Sequence, residues 1–142
     1  SILRLIAEYN PYLLDVEFNT IRKDKKLASY LKKTKCKLLI SWHDFKKTPN
    51  ENQLRVRHSK MKRFSDVVKI VTVAKNVSDA SRLLSLYSIK TKNKTIAFCM
   101  GEQGKFSRIL CLHLGSPFTY VSLGKAIAPG QFSVDEIKSL QN

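Results

Sequence analysis

The chain has 142 residues, 43% of them hydrophobic, and a formal net charge of +15, which bounds it to one ordinary globular domain (residues 1–142) with room for a real core. No apolar run approaches the ~20 residues of a bilayer crossing, and residues 1–9, which include Arg4 and Glu8, show no secretory pattern. Cys36, Cys99 and Cys111 lie far apart, with no CxxC and no zinc spacing, so a disulfide framework and a zinc finger are excluded and a reducing, cytoplasmic setting is expected.

Residues 1–9 read as a helix end with Ile2, Leu3, Leu5 and Ile6 apolar, stopped by Asn10-Pro11. The first residue is Ser1 and not methionine, which is expected of a processed product or of a piece of a longer chain. Residues 12–18 alternate as a strand, with Asp15 and Glu17 on one face and Leu14, Val16 and Phe18 on the other. Residues 20–33 read as one basic amphipathic helix. Residues 37–42 form a second strand that ends in His43-Asp44-Phe45. Thr48-Pro49-Asn50 turns the chain into a helix over 51–64.

Residues 64–74 are apolar and β-branched, a strand buried on both faces. Lys69 sits in its middle. An ammonium there must find a partner, reach an opening or lose its proton. It is either a strand lysine that snorkels to water or a desolvated amine of the kind that attacks carbonyl carbon.

Asn76-Val77-Ser78 caps a helix whose stripe is Ala80, Leu83, Leu84 and Tyr87. Residues 94–100 are a fourth strand, Gly101 and Gly104 its loop, and 106–114 a helix. Residues 118–121 read as a short fifth strand, 123–131 as a loop and 133–140 as a final helix with Asp135 and Glu136 in its first turn. Two stretches carry much of the charge. Residues 22–37 hold eight basic residues against Asp24, and Arg55, Arg57, Lys60, Lys62 and Arg63 stand together without an acid. Such clusters serve an anionic partner or form a solvated face. No nucleic-acid-binding motif accompanies them, so nucleic acid is not the expected partner.

Strand centres near Leu14, Leu39, Val68, Ala97 and Thr119 recur at about the length of a βα unit. Strands alternating with helices imply an α/β fold with a parallel sheet. An open doubly wound sheet and part of a (β/α) barrel both fit. No glycine-rich phosphate loop follows any strand, which weakens a nucleotide-binding version. In a barrel, chemistry gathers at the C-terminal ends of the strands. That is where His43, Lys69, Arg108 and Gln131 fall, each in a different unit.

Five segments in order then resemble one family. Ser41-Trp42-His43-Asp44-Phe45-Lys46-Lys47-Thr48-Pro49 is similar to the histidine motif of the type I 3-dehydroquinate dehydratases, the Schiff-base lyases of the shikimate pathway that leads to chorismate and the aromatic amino acids. Asp66-Val67-Val68-Lys69-Ile70 resembles its lysine strand and Met100-Gly101-Glu102-Gln103-Gly104-Lys105-Phe106-Ser107-Arg108 its arginine loop. Gly115-Ser116-Pro117-Phe118-Thr119-Tyr120 and Gly124-Lys125-Ala126-Ile127-Ala128-Pro129-Gly130-Gln131 resemble its closing segments.

The resemblance implies a hydro-lyase acting on 3-dehydroquinate. Lys69 would form the imine, and His43 would be the general acid and base. Arg108 would grip the substrate carboxylate, and Gln131 would bind substrate from a lid. Met100 and Tyr120 would line the pocket. It implies no metal and no dissociable cofactor. A TIM-type (β/α) barrel of about 250 residues is implied, of which this chain would hold the last five βα units of eight. The first three strands would be absent, with an acid-and-arginine motif and the glutamate that orients the histidine. Partners implied are the substrate, a second copy in a homodimer, or a separate N-terminal half, with no membrane. Ile127 stands where the family's lid usually carries a serine hydroxyl. Three other readings remain open: a non-catalytic remnant of the same fold, a basic nucleic-acid-binding module, and another Schiff-base lyase or aldolase.

Overall fold

The computed structural model describes residues 2–140. Helix α1 (Ile2–Glu8) leads to β1 (Leu13–Glu17), α2 (Phe18–Lys23), α3 (Lys25–Lys33), β2 (Lys37–Asp44), α4 (Glu51–Met61), β3 (Val67–Val73), α5 (Val77–Leu84), β4 (Lys94–Met100), α6 (Ser107–His113) and α7 (Val134–Leu140), with 3₁₀ turns at Ser85–Ser88 and Glu102–Gly104. Ser1 lies outside the described residues. None of the described helices is long and apolar enough to cross a membrane.

The helix expected over residues 20–33 is two helices. Asp24 leaves helical geometry (φ −105°, ψ 90°), and its carboxylate accepts the Leu27 N–H at 2.8 Å. Aspartate is a poor helix interior residue and a strong N-cap, so the chain restarts there. Phe18 likewise opens α2 and does not end β1. Helix α4 begins on a reciprocal cap: Asn50 accepts the Gln53 N–H at 2.9 Å, and Gln53 accepts the Asn50 N–H at 3.3 Å.

The four strands pair in chain order, β1-β2-β3-β4, all parallel. A doubly wound sheet reverses its order at a switch point; this one does not, so of the two architectures left open by the spacing the sheet matches an arc of a barrel. Its register aligns Glu17, Ser41, Lys69 and Ile96 in one row. One face carries Leu14, Val16, Ile40, Trp42, Val68 and Ile70, buried under the helices with Ile21, Leu27, Leu54 and Leu83. Each such side chain contributes about 1.5–3 kcal/mol when fully buried. The opposite face, called inner below, carries Leu39, Val71, Ile96, Phe98 and Met100, with Phe118 and Tyr120 packed across them.

The fifth strand expected over residues 118–121 is not formed. Its ladder partner is already satisfied by side chains. The Tyr87 hydroxyl accepts the Ala97 N–H at 2.8 Å and donates to the Ala97 carbonyl at 3.1 Å, while Ser107 Oγ accepts the Cys99 N–H at 2.8 Å. With those edge groups of β4 taken, the segment crosses the inner face on its aromatic rings. Phe118 and Tyr120 sit 5.7 Å apart, and Tyr120 lies 5.8 Å from Phe98. The backbone regains pairing only at Ser122, which bridges to Ser133.

Candidate functional site

Alternation along the strands brings the polar residues of three strands to the inner face. Lys69 is 7% exposed. Its Nζ donates to Asp15 Oδ2 at 2.7 Å and to the Tyr120 hydroxyl at 3.5 Å, and lies 4.7 Å from the Tyr120 ring centroid. The lysine therefore meets the burial problem with a partner: a carboxylate from β1, two strands away. The Asp15 side chain is 41% exposed where that of Lys69 is 9%, so the pair is wet at one end.

His43 lies one step further along the same face, since Ser41 pairs with Lys69 and His43 with Val71. It stands inside β2, not past its end as expected. Its Nδ1 is 3.0 Å from Glu17 Oε2, and its ring stacks on Phe45 at 5.6 Å with 9° between planes. An ionised carboxylate only accepts hydrogen bonds, so Nδ1 carries the hydrogen and Nε2 of the neutral ring keeps its lone pair.

Arg108, from the first turn of α6, is 2% exposed. Its guanidinium lies 4.6 Å over the Phe98 ring, and Nη2 donates to the Pro129 carbonyl at 3.4 Å. Its buried Nε has no hydrogen-bond partner. Burial pushes its pKa down from the ordinary arginine value, with smaller opposing effects from Cys111 and Cys99. No carboxylate lies on this guanidinium among the described residues.

The loop over residues 123–131 reaches the site around Pro129, whose carbonyl accepts from both Arg108 and Gly101. Gly101 N–H donates to the Pro129 carbonyl at 3.1 Å, and Gly130 (φ +70°) lies so close that a Cβ on it would stand 2.5 Å from the Gly101 oxygen. Gln131 turns back on this loop, where its Oε1 accepts the N–H groups of Ile127 at 3.0 Å and Ala128 at 3.2 Å. Ile127 itself is 88% exposed. Met100 is buried at the inner-face end of β4.

The structure thus joins Lys69, Tyr120, Phe98 and Arg108 in one contact chain and sets His43 beside it on the same face. Gln131 reaches the site only through its loop. Two residues the sequence reading did not assign to the site, Asp15 and Glu17, hold Lys69 and His43. Their alternation had put them on one face; the strand register that aims them at the lysine and the histidine was not readable. The family's orienting glutamate is expected in the absent strands; in this chain a glutamate of β1, Glu17, lies against His43 Nδ1. No group of three or more His, Cys, Asp or Glu side chains able to hold a metal ion is found among the described residues.

The family model for type I 3-dehydroquinase matches residues 1–142. The chain is 42% identical over 137 residues to the 3-dehydroquinate dehydratase of Pyrobaculum aerophilum, covering 95% of this chain and 44% of that protein. It is 37% identical over 132 residues to that of Pyrococcus abyssi, covering 92% and 60%. Among solved structures, the type I 3-dehydroquinate dehydratase from Clostridium difficile with covalently modified comenic acid superposes with a TM-score of 0.84 at 27% identity, over 98% of this chain and 57% of that one. The Aquifex aeolicus 3-dehydroquinate dehydratase gives 0.82 at 30% identity, over 99% and 63%. The chain spans roughly half to two thirds of the length of these proteins.

Proposed function

The chain belongs to the type I 3-dehydroquinase family, and from that premise we propose that these residues supply the chemical half of a lyase that dehydrates 3-dehydroquinate to 3-dehydroshikimate. The observation that carries the reading is Lys69, an amine buried on the inner sheet face with its Nζ against Asp15. Its nitrogen attacks the substrate ketone, and the carbonyl oxygen leaves as water to give a protonated imine. That imine withdraws electrons and acidifies the neighbouring C–H. His43 Nε2 takes this proton, and the electron pair flows toward the imine nitrogen. As the pair returns, the β-hydroxyl departs with a proton from His43. Water then cleaves the imine and frees the product and Lys69.

Each neighbour has a task in this sequence. Attack needs the Lys69 lone pair, so the hydrogen bond to Asp15 must be released when substrate enters. Glu17 keeps the His43 tautomer that presents a free Nε2. Arg108 grips the substrate carboxylate through parallel N–H bonds, and the unpartnered Nε is one donor for it. Met100 and Tyr120 line the pocket. Gln131 and the loop fastened to Gly101 close over it. In a barrel of the relatives' full length, further strands would complete the pocket. In this reading the protein works in the cytoplasm, in aromatic amino-acid biosynthesis.

The test is reductive trapping. Protein extended over the whole family length is incubated with 3-dehydroquinate and borohydride, then weighed intact and mapped by peptide. One covalent addition on Lys69 is expected, and none in Lys69→Met. An adduct on another lysine, or unchanged turnover by Lys69→Met, would sink the assignment.

A further inference from the structure

The two basic stretches of the sequence play no part in the reaction above, yet the fold brings them together. A groove of about 420 Å³ opens on the helical face beside the C-terminal end of β2, lined by Arg22, Trp42, Asp44, Lys47, Arg57 and Lys60 with residues of the α4 N-terminal turns. Arg22 comes from the first basic stretch and Arg57 from the second. Both guanidinium groups rest on one ring: Arg22 lies 5.8 Å and Arg57 5.9 Å from the Phe18 centroid. Arg57 is further clamped 4.3 Å over Trp42, which is buried. Neither guanidinium makes an ion pair among the described residues; the pairs found there are His43–Glu17, Arg55–Glu51, Lys69–Asp15, Arg82–Asp79 and Lys105–Glu136.

Like charges held together on rigid rings cost energy unless an anion lies between them. Desolvation first, then Arg22, lower the Arg57 pKa from its ordinary value, while Asp44 and Glu17 act against them at a distance. The lining holds four cations against the single acid Asp44. Asp44 is already engaged, accepting the N–H groups of Lys46 at 2.9 Å and Lys47 at 3.0 Å. Both guanidinium groups lie over aromatic rings, and neither has a carboxylate partner among the described residues.

We infer that this groove is a second anion site, built for a ligand with two adjacent phosphate groups bridged by Arg22 and Arg57 and flanked by Lys47 and Lys60. It lies on the opposite face of β2 from His43 and Lys69, so its ligand is not the substrate of the lysine. Trp42, the sole tryptophan of the chain, sits in the groove and reports on it.

Pyrophosphate is titrated into the protein at constant ionic strength while Trp42 emission is followed, with sodium chloride as the matched control. A saturable emission change with pyrophosphate alone is expected. Arg57→Gln and Arg22→Gln should weaken it at least about tenfold, and Lys92→Gln, a basic residue at the other end of the strands, should leave it unchanged. Arg22 is exposed, so its variant tests the site even where Arg57→Gln disturbs packing. A short single-stranded RNA is the second probe. Displacement of pyrophosphate by it identifies a nucleic-acid backbone as the phosphate source, and failure to displace identifies a soluble phosphate ester; both sustain the site. An emission change that follows ionic strength alone, or an equal loss in Lys92→Gln, overturns it.

Discussion

The two faces of this sheet are made from the same strands and obey opposite rules. On the helical face, Val16, Ile40, Val68 and Ile70 are wholly buried, and alternate positions from β1 to β3 are apolar up to the final pair, Asp44 and Thr72. On the inner face, Asp15, Glu17, Ser41, His43 and Lys69 stand among apolar residues such as Leu39, Val71, Ile96 and Phe98. One residue of displacement along β3 separates a core isoleucine from a buried amine. The larger apolar cluster therefore lies on the helical face. The other can hold partly desolvated charges because each has a partner aimed by register and not by proximity in sequence.

The sharpest way to test that division is to change neighbours. Lys69→Met keeps the side chain's length and removes its amine. Asp15 loses its partner but remains partly solvated, so the melting temperature should move by no more than about 4 °C, while trapping with 3-dehydroquinate is abolished. Ile70→Ala should do the reverse. Its side chain is fully buried among the helices, so it should cost about 2–5 kcal/mol in denaturant unfolding and leave the trapped lysine the same. If Ile70→Ala lost the adduct under conditions where it is folded, the faces would not be separable.

The same asymmetry decides what could be read in advance. The four paired strands and the helices between them follow from apolar periodicity, a local property. So does the placing of Lys69 in a buried strand, and the family's segments supplied His43 and Arg108. The Asp24 break in the basic helix is legible too, since an aspartate followed by a polar turn is a capping signal that competes with the helical period. What the chain did not reveal is non-local. The absence of a fifth strand depends on the Tyr87 hydroxyl reaching Ala97, ten residues on. The bond from Glu17 to His43 spans 26 residues and that from Asp15 to Lys69 spans 54. Such contacts are fixed by strand register, and alternation alone sets only which face a residue occupies.

The helical face has one polar group that should respond to pH. His58, on α4, is 1% exposed, with Nε2 2.8 Å from Thr95 Oγ1 and Nδ1 unpartnered. Desolvation, and secondarily Lys62, lower its pKa from 6.5 to about 4. The unfolded chain therefore takes up this proton first. Between about pH 6.5 and 4 the unfolded state holds more protons than the folded one, so stability falls as pH falls through that window. The expected loss is on the order of 3 kcal/mol. His58→Gln keeps a hydrogen bond to Thr95 within reach and removes the titration. The difference between its urea midpoint and the wild type's should shrink steadily from pH 7 to pH 4. A constant difference would show that His58 is not the group responsible.

The smallest expected effect bears on the inner face's acids. Glu17 ends β1 and precedes α2 without capping it by its side chain, and its carboxylate meets His43 Nδ1. Glu17→Gln keeps the length and a hydrogen bond but removes the charge that fixes the ring's hydrogen on Nδ1, since an amide either donates or accepts. If Glu17 positions His43, kcat should fall by about tenfold, part of the 10²–10⁴ that a placed acid–base group supplies. KM should hold, because Arg108 and not Glu17 contacts the substrate in the proposed pose. Imine formation at Lys69 should persist, so the trapped adduct remains while turnover slows. If the acid instead only balances charge along the sheet, the variant should melt lower with kcat unchanged. That outcome would leave Glu17 as part of the fold and His43 without a positioning partner on β1.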